Sequence, residues 1–323
     1  MRRRQCLSLL AASAFAPQGF AQAAFPEPDR PLRWIVPFPA GGTSDLRARQ
    51  VAERLKADAG WNVLIENRAG ASGMIGSDIV AKSAPDGHTL LLGTIGTLAI
   101  NPALQAQQPY DVLRDLQPIS QFSRSVSVLL AHRDTGIRSL ADLEAKVRGG
   151  AGLAFASTGN ATIGHMVGEM VKRRAGLDIT HVPYQGTAPA VRDFIGNQVP
   201  LLVETPSAVW PYLQSGVAVA LAVTSRERVP QMPAVPTFAE SGYPDLVFET
   251  WQGVLTRRGV TPQVLATLHR EIANALRHPE VVRSHEEQVN TVVAGTPEAF
   301  ERLIAEETVR WARVVAETGV RLG

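Results

Sequence analysis

Short apolar runs alternate with amphipathic segments over nearly the whole chain. In the first third, runs around Ile35, Leu64 and Leu91 predict buried strands, and segments 45–59 and 77–81 predict helices between them. Apolar strands separated by helices are typical of a parallel sheet covered on both faces. The pattern therefore predicts an α/β fold.

The same alternation restarts further along the chain, which indicates a second unit. Its strands are predicted at Phe155, 179–182 and 201–203. Its helices are predicted at 139–147, 162–175, 188–195 and 207–213. Two longer apolar runs, 119–131 and 217–224, are predicted to cross between the two units, because each leads out of one alternating series and into the other.

These crossings predict two lobes, the first built from both ends of the chain. The predicted lobe 1 comprises residues 24–121 and 227–323, and the predicted lobe 2 comprises 122–226. Ser139, Thr261 and Thr296 are predicted N-caps, the last two because proline follows each at the first helical position. The proline-rich stretch 228–245 lacks periodicity and predicts a loop.

The N-terminus predicts export. Three arginines at positions 2–4 precede a short apolar core at 7–15, and Ala21-Gln22-Ala23 is a small-x-small cleavage motif. We expect a signal peptide at 1–23 and a mature chain that begins at Ala24. No later stretch reaches the roughly 20 apolar residues that a membrane-spanning helix needs.

Composition excludes several classes of function. Removing the three leader arginines from 32 basic residues leaves 29 against 30 acidic ones, a net charge of −1, so nothing indicates nucleic acid as a partner. The single cysteine, Cys6, lies in the leader, so the mature chain forms no disulfide. The seven histidines lack metal-ligand spacing, and segment 70–76 lacks the spacing of a dinucleotide loop. We predict no metal and no cofactor.

Two strand-to-helix turns form the candidate site. Each is rich in small and hydroxyl residues, and a helix start offers free N–H groups and a partial positive charge that attract carboxylates. Two such turns predict a two-jawed site for a small organic acid. The candidates in the first turn are Phe38, Ala40, Gly41, Gly42, Thr43 and Ser44. The candidates in the second turn are Ser157, Thr158, Asn160, Ala161 and Thr162.

Three further candidates follow predicted strands. Thr94 and Thr97 come after the strand at Leu91, where they are expected to line the cleft. Tyr184 also follows a strand, and its polar tip on an apolar body fits either the cleft or the core.

Three ionisable candidates leave alternatives open. Asp45 either orders the first turn or contacts a donor group of the ligand. His165 either orients the second turn or touches a ligand oxygen. Glu204 ends a buried strand, where it either receives an amino, hydroxyl or amide group of the ligand, or pairs with an arginine or caps the next helix.

Six phrases occur in order along the mature chain. They are IVPFPAGG at 35–42, ENRAG at 66–70, APDGHTLL at 84–91, INP at 100–102, HVPY at 181–184 and LAVTS at 221–225. Together they resemble the periplasmic solute-binding receptors of tripartite tricarboxylate transporters, often called the Bug family. The resemblance covers essentially the whole mature chain.

The resemblance implies a two-lobed periplasmic-binding-protein fold of type II (Venus-flytrap), each lobe a mostly parallel sheet flanked by helices. It implies a periplasmic monomer whose two turns grip a ligand carboxylate, often with help from water, and whose partner is a membrane permease. The chain departs from the family at Ala161, where glycine is common, and at Glu204, where aspartate is common.

The sequence therefore predicts a receptor and not an enzyme. The expected ligand is a dicarboxylate, a tricarboxylate, an acidic amino acid or an aromatic carboxylate. Two alternatives remain at this point: a ligand sensor for a membrane kinase, and an exported hydrolase, although no Gly-x-Ser-x-Gly elbow is present.

Overall fold

The computed structural model describes residues 25–105 and 107–320. The predicted signal peptide, 1–23, and its cleavage site lie outside the described residues. The strands are β1 (Leu32–Val36), β2 (Val63–Asn67), β3 (Thr89–Thr94), β4 (Leu116–Ser125), β5 (Val128–His132), β6 (Leu153–Ser157), β7 (Ile179–Pro183), β8 (Leu201–Glu204), β9 (Ala218–Val223), β10 (Thr250–Arg257) and β11 (Asn290–Val292). The helices are α1 (Thr43–Ala59), α2 (Met74–Ala81), α3 (Asn101–Leu104), α4 (Val112–Asp115), α5 (Leu140–Arg148), α6 (Ile163–Ala175), α7 (Thr187–Ile195), α8 (Pro206–Gln214), α9 (Pro262–Leu276), α10 (Pro279–Glu286) and α11 (Pro297–Thr318).

The strands form two separate sheets, one for each lobe. The first has the order β11-β4-β10-β3-β1-β2 and the second the order β7-β6-β8-β5-β9. In each sheet the strands next to the candidate turns pair in parallel, β1 with β2 and β3, and β6 with β7 and β8. The remaining pairs are antiparallel, so both sheets are mixed, and four of the six strands of the first sheet and four of the five strands of the second run in one direction, as predicted.

Both faces of each sheet are buried, because neighbouring residues of a strand pack into different cores. Along β1, Trp34 and Val36 pack with α1 and α9, whereas Ile35 packs into the core on the other face. In the second lobe, Leu202 of β8 packs with α7, and Val203 packs on the opposite face. Successive side chains of a strand point to opposite faces, so a continuous apolar run is what a covered strand requires.

The predicted N-caps are confirmed. Ser139, Thr261 and Thr296 each use the side-chain oxygen to accept a backbone N–H of the first turn, at 3.1, 3.3 and 3.2 Å respectively. These bonds satisfy N–H groups that the helices α5, α9 and α11 cannot pair internally.

The chain crosses between the lobes at two adjacent segments. Strand β4 leads into β5 through Val126 and Ser127, and the return path reaches β10 through Phe248. Thr224 joins the two crossings: its hydroxyl accepts the Ser127 N–H at 2.9 Å, and its carbonyl accepts the Phe248 N–H at 2.9 Å. This hydrogen-bonded pair of segments is the natural hinge between the lobes.

Both predicted lobe boundaries need correction. The boundary at 121/122 cuts β4, which stays in the first sheet as far as Ser125. The return boundary at 226/227 is too early, because residues 236–238 extend the edge of the second sheet: Val223 N–H donates to the Pro236 carbonyl and Phe238 N–H to the Val223 carbonyl. The segment 228–245 contains no helix or strand, as predicted.

Among the helices of residues 25–105 and 107–320, none combines the length and the apolar character needed to cross a bilayer.

Candidate ligand-binding site

A cavity of about 100 Å³ lies between the two lobes, several times the ~10–15 Å³ that one water molecule needs. The first lobe contributes Phe38, Pro39, Gly42, Thr43, Ser44, Arg47, Ser72, Thr94, Ile95, Gly96, Ser123, Ser125, Thr250, Trp251, Gln252 and Asn290. The second lobe contributes Thr158, Ala161, Thr162, Ile163, Gly186, Thr187, Glu204 and Thr205. The wall is therefore rich in hydroxyl groups.

The first turn ends β1 and starts α1 at the cavity wall. Gly41 adopts the left-handed φ of 79°, which a side chain would strain, and Gly42 is the N-cap. Asp45 accepts the Gly41 N–H at 2.9 Å and pairs with Arg49 at 3.0 Å. Burial opposes its ionisation, but the bonds from Arg49 and Gly41 hold the pKa of Asp45 below its ordinary value. Of the two roles considered for Asp45, the structure has it ordering the turn.

The second turn ends β6 and starts α6 on the opposite side of the cavity. Thr162 caps α6 by accepting the His165 N–H at 3.4 Å and also donates to the Gly159 carbonyl at 2.7 Å. The ring Nδ1 of His165 accepts the Ala161 N–H at 3.2 Å, so His165 orients the turn from behind. Ala161 has a left-handed φ of 55°, which explains why glycine suits this position.

His165 stacks on a second histidine below the turn. Its ring centroid lies 4.3 Å from that of His181, and His181 Nε2 lies 2.7 Å from Ser157 Oγ. Burial lowers the pKa of His165 to about 4. Burial, together with the charges of His165 and Lys172, lowers the pKa of His181 to about 3. Both rings are therefore neutral at neutral pH and act as part of the scaffold.

The lobes touch at the rim of the cavity. A Cβ atom built on Gly96 of the first lobe would lie 3.2 Å from the carbonyl oxygen of Ala161 in the second. A Cβ atom on Gly186 would lie 3.1 Å from Cδ of Pro39. Contacts this tight show that the structure is a closed arrangement of the lobes.

A buried arginine lines the cavity. Arg47 of α1 lies one turn beyond Thr43 and is 7% exposed. Its Nη2 donates to Ser207 Oγ of the second lobe at 3.1 Å. The amide of Asn290 satisfies its neighbours when its oxygen faces Arg47, accepting from Nη1 at 2.9 Å and Nη2 at 3.1 Å. Burial lowers the pKa of Arg47 to about 10, and the charge of Glu204 opposes that shift, so the guanidinium stays charged at neutral pH.

Glu204 is a half-buried carboxylate that lines the cavity. Its Oε1 accepts the Thr205 N–H at 2.7 Å and the Thr205 hydroxyl at 3.1 Å. Burial raises the pKa of Glu204, while the Thr205 bonds and the charge of Arg47 oppose the rise. Through its bonds to Thr205, the carboxylate of Glu204 holds the residue that precedes α8, which is close to the predicted capping role. Glu204 also lines the cavity.

The structure brings nine of the predicted site residues to the cavity wall. They are Phe38, Gly42, Thr43, Ser44, Thr94, Thr158, Ala161, Thr162 and Glu204. Eight others lie outside that wall, namely Ala40, Gly41, Asp45, Thr97, Ser157, Asn160, His165 and Tyr184.

Most of those eight have structural roles. Thr97 is fully buried and its hydroxyl accepts the Thr94 N–H at 3.0 Å. Ser157 is fully buried against His181. Tyr184 donates to Asp193 at 3.0 Å, and Ala40 is exposed. The sequence does not show which way each of these side chains points.

Several wall residues were missed by the sequence analysis. Arg47 could have been predicted from the sequence, because it lies four residues after Thr43 and so lies on the same face of the helix. Ser123 and Ser125 alternate along β4 and so share one face of the sheet. Gln252 and Asn290 carry no local signal. Within the described chain, Gln252 Oε1 and the indole N–H of Trp251 have no hydrogen-bond partner, which suits walls of a ligand site.

Across the described residues, no group of three or more histidine, cysteine, aspartate and glutamate side chains is arranged to hold a metal ion.

With the site defined, the family follows from comparison. The chain matches TctC, the tripartite tricarboxylate transporter family receptor, over residues 47–320. It is 40% identical to protein BugT of Bordetella pertussis over 297 residues, 91% of each chain. The chain belongs to the receptor family of tripartite tricarboxylate transporters, and the resemblance stated from the ordered phrases is confirmed.

Solved structures confirm the two-lobed fold. Rpa4515 of R. palustris, solved with adipate, is 32% identical with a TM-score of 0.86, covering 91% of this chain and 99% of its own. MatC of Rhodopseudomonas palustris, solved with bound malate, is 29% identical with a TM-score of 0.84, covering 89% of this chain and 99% of its own.

Proposed function

We propose that this chain is an exported receptor that captures a small organic carboxylate between its lobes and delivers it to a transporter permease. One observation carries the proposal: the starts of α1 and α6, one from each lobe, flank the same cavity. The free N–H groups and positive dipole ends of both helices converge on one space, where an anion is favoured.

The wall supplies further donors. Thr43 and Thr158 line the cavity with hydroxyl groups, and Arg47 adds a buried positive charge. Each charge-assisted hydrogen bond contributes about 1.5–3 kcal/mol, so a few of them suffice for micromolar binding after ordering costs. The adipate of Rpa4515 and the malate of MatC support a small carboxylic acid as the ligand class.

Lobe closure is the proposed mechanism. A carboxylate held by both helix starts stabilises the closed arrangement more than the open one, and so shifts the equilibrium toward it. The permease would recognise the closed form of a monomeric receptor in the periplasm, after removal of residues 1–23. Support for this comes from the family and from the leader sequence.

A serine–histidine pair near the site is better explained as part of the scaffold than as a catalytic pair. Ser157 Oγ lies 2.7 Å from His181 Nε2, the distance of a nucleophile and its base. However, Ser157 is fully buried, and His181 is stacked between Phe155 and His165. A substrate carbonyl has no path to that hydroxyl, which argues against the exported hydrolase.

The test is a binding measurement on the mature protein with paired threonine variants. Thermal shift against C4 to C6 mono- and dicarboxylates identifies binders, because a ligand of the folded state raises the melting temperature. Thr43→Val with Thr158→Val keeps side-chain volume and removes two cavity hydroxyls. We expect affinity to fall at least about tenfold with the apo melting temperature nearly unchanged.

Thr180→Val, on the exposed surface of β7, is the matched control and should leave affinity unchanged. Equal affinity of the double variant and the wild type would remove the two turns from the site. Failure of every carboxylate to bind would refute the proposed function itself.

A further inference from the structure

Two opposite charges from opposite lobes lie in the same part of the cavity wall, linked by two hydroxyl groups, and this part of the wall is the Arg47–Glu204 end. Arg47 comes from α1 in the first lobe and Glu204 from the end of β8 in the second, and both line the cavity wall. The charge of each acts on the ionisation of the other.

A relay of hydroxyl groups fixes the two charges at that end. Arg47 donates to Ser207 Oγ at 3.1 Å, Ser207 Oγ lies 3.1 Å from Thr205 Oγ1, and the Thr205 hydroxyl donates to Glu204 at 3.1 Å. With Ser207 donating to Thr205, every proton of the relay points from the cation to the anion. In the closed arrangement the relay therefore holds the two charged groups in place relative to each other.

Neither charge is saturated by its neighbours. The contacts of Arg47 with Ser207 and Asn290 are to neutral groups and take at most three of the five guanidinium N–H donors. Among residues 25–105 and 107–320, the one contact of Glu204 Oε2 is a long one of 3.5 Å, from the Thr187 hydroxyl. Both groups therefore have unused hydrogen-bonding capacity. Because a charge removed from water requires hydrogen-bonded partners, a ligand that supplies them is favoured.

The charges of Arg47 and Glu204 determine which chemical group of the ligand fits beside them. The two helix starts already neutralise one carboxylate, as the proposed function requires. The two Thr205 donors and the charge of Arg47 favour the ionised form of Glu204, and with Glu204 ionised the Arg47–Glu204 end carries one positive and one negative charge. A second carboxylate there gains from Arg47 but is repelled by Glu204, whereas a group that both accepts and donates satisfies the two together.

Building on the proposed function, we propose that Arg47 and Glu204 determine specificity. They select a carboxylate whose other end is polar but has no net charge, such as a primary amide or an amino-acid head group. A simple dicarboxylate of the same length is disfavoured.

The test compares matched ligands on the wild-type mature protein. Isothermal titration at about pH 7.5 is run with succinate, glutarate and adipate, each against its own half-amide. Half-amide and diacid differ in charge at one end and little in size. We expect the half-amide that fits best to bind at least about tenfold more tightly than its diacid.

The variant Glu204→Gln removes the repulsion and should raise diacid affinity at least about tenfold relative to the half-amide. Glu53→Gln, on the exposed face of α1, is the matched control and should leave the ratio unchanged. The apo melting temperature of each variant reports whether it folds, and the wild-type ratio needs no variant.

The outcomes separate the two proposals. If neither diacids nor half-amides bind, the proposed function fails. If they bind, but the wild type prefers diacids, the specificity assignment is overturned while the receptor function stands. An unchanged ligand ratio in a folded Glu204→Gln protein overturns it equally.

Discussion

At the scale of single residues, two buried histidines, His165 and His285, and the half-buried His181 make the fold sensitive to acid. Burial lowers the pKa of His165 to about 4 and, with nearby positive charge, the pKa values of His181 and His285 to about 3. An unfolded chain takes up these protons near pH 6.5, but the folded protein resists them. Stability is therefore full above about pH 6.5 and is lost as the pH falls toward 4.

We predict that the free energy of unfolding falls between pH 6.5 and 4.5 by up to ~1.4 kcal/mol per pH unit for each such histidine. Urea unfolding at several pH values measures the slope. In His165→Asn with His181→Gln, neutral amides keep polar partners for the Ala161 N–H and Ser157, and the slope should be flatter. Identical slopes in the two proteins would contradict the account of the buried rings.

Ala161 shows how a family departure is accommodated. Its φ of 55° costs an alanine about 1–2 kcal/mol relative to glycine. The residue is 1% exposed, so its methyl group is buried in the core, and this burial offsets part of the conformational cost. The His165 ring holds its N–H and keeps the turn in the required shape.

At the scale of elements, the start of α1 depends on one carboxylate. Asp45 reaches back to the Gly41 N–H and also pairs with Arg49, so it orders the turn that faces the ligand. This is the reciprocal side of helix capping, in which a third-position side chain satisfies a donor that precedes the helix.

We predict that Asp45→Ala lowers the free energy of unfolding by about 1–2 kcal/mol and weakens ligand binding, because the Gly41 N–H loses the carboxylate that accepts it. Asp45→Asn keeps one acceptor oxygen and should cost less. Asp58→Ala, at the exposed far end of α1 where Asp58 pairs with Arg54, should cost less than about 1 kcal/mol. Chemical unfolding and titration measure the two effects, and equal losses at Asp45 and Asp58 would contradict this role.

At the scale of the whole molecule, closure of the lobes depends on a close approach between the backbone of Gly96 in the first lobe and that of Ala161 in the second. Gly96 faces the Ala161 carbonyl so closely that an added Cβ atom would lie 3.2 Å from it. Contact at this point seals the cavity beside the two helix starts.

We predict that Gly96→Val holds the lobes apart and lowers ligand affinity at least about tenfold. The added side chain makes the closed state less stable relative to the open one, so part of the binding free energy is used to close the lobes. Small-angle scattering with saturating ligand should show a larger radius of gyration than for the wild type. Gly152→Val, whose Cβ atom meets nothing within 4 Å, is the control. A variant that compacts and binds as the wild type does would show that closure does not pass through this contact.

Local patterns in the sequence predicted the elements and the two turns. Apolar runs such as 90–92 specify strands buried on both faces, and a hydroxyl residue followed by proline specifies a helix start, because both signals act over a few residues. The same local signals located Thr43 and Thr158. They left the directions of Thr97, Ser157 and Tyr184 open, since a side chain near a strand end turns inward or outward with its packing.

The lobe boundary and the charged end of the cavity were decided by tertiary structure. Residues 236–238 join the second sheet through backbone bonds that any sequence makes, so the pattern of apolar runs does not show that they lie on that sheet. Arg47 meets Ser207, 160 residues away, and Glu204 acts from across the cleft. The chain determined which groups exist and in which local shape they are held. Which of them face one another depends on how two separately formed sheets dock, a long-range arrangement that no short stretch of sequence encodes.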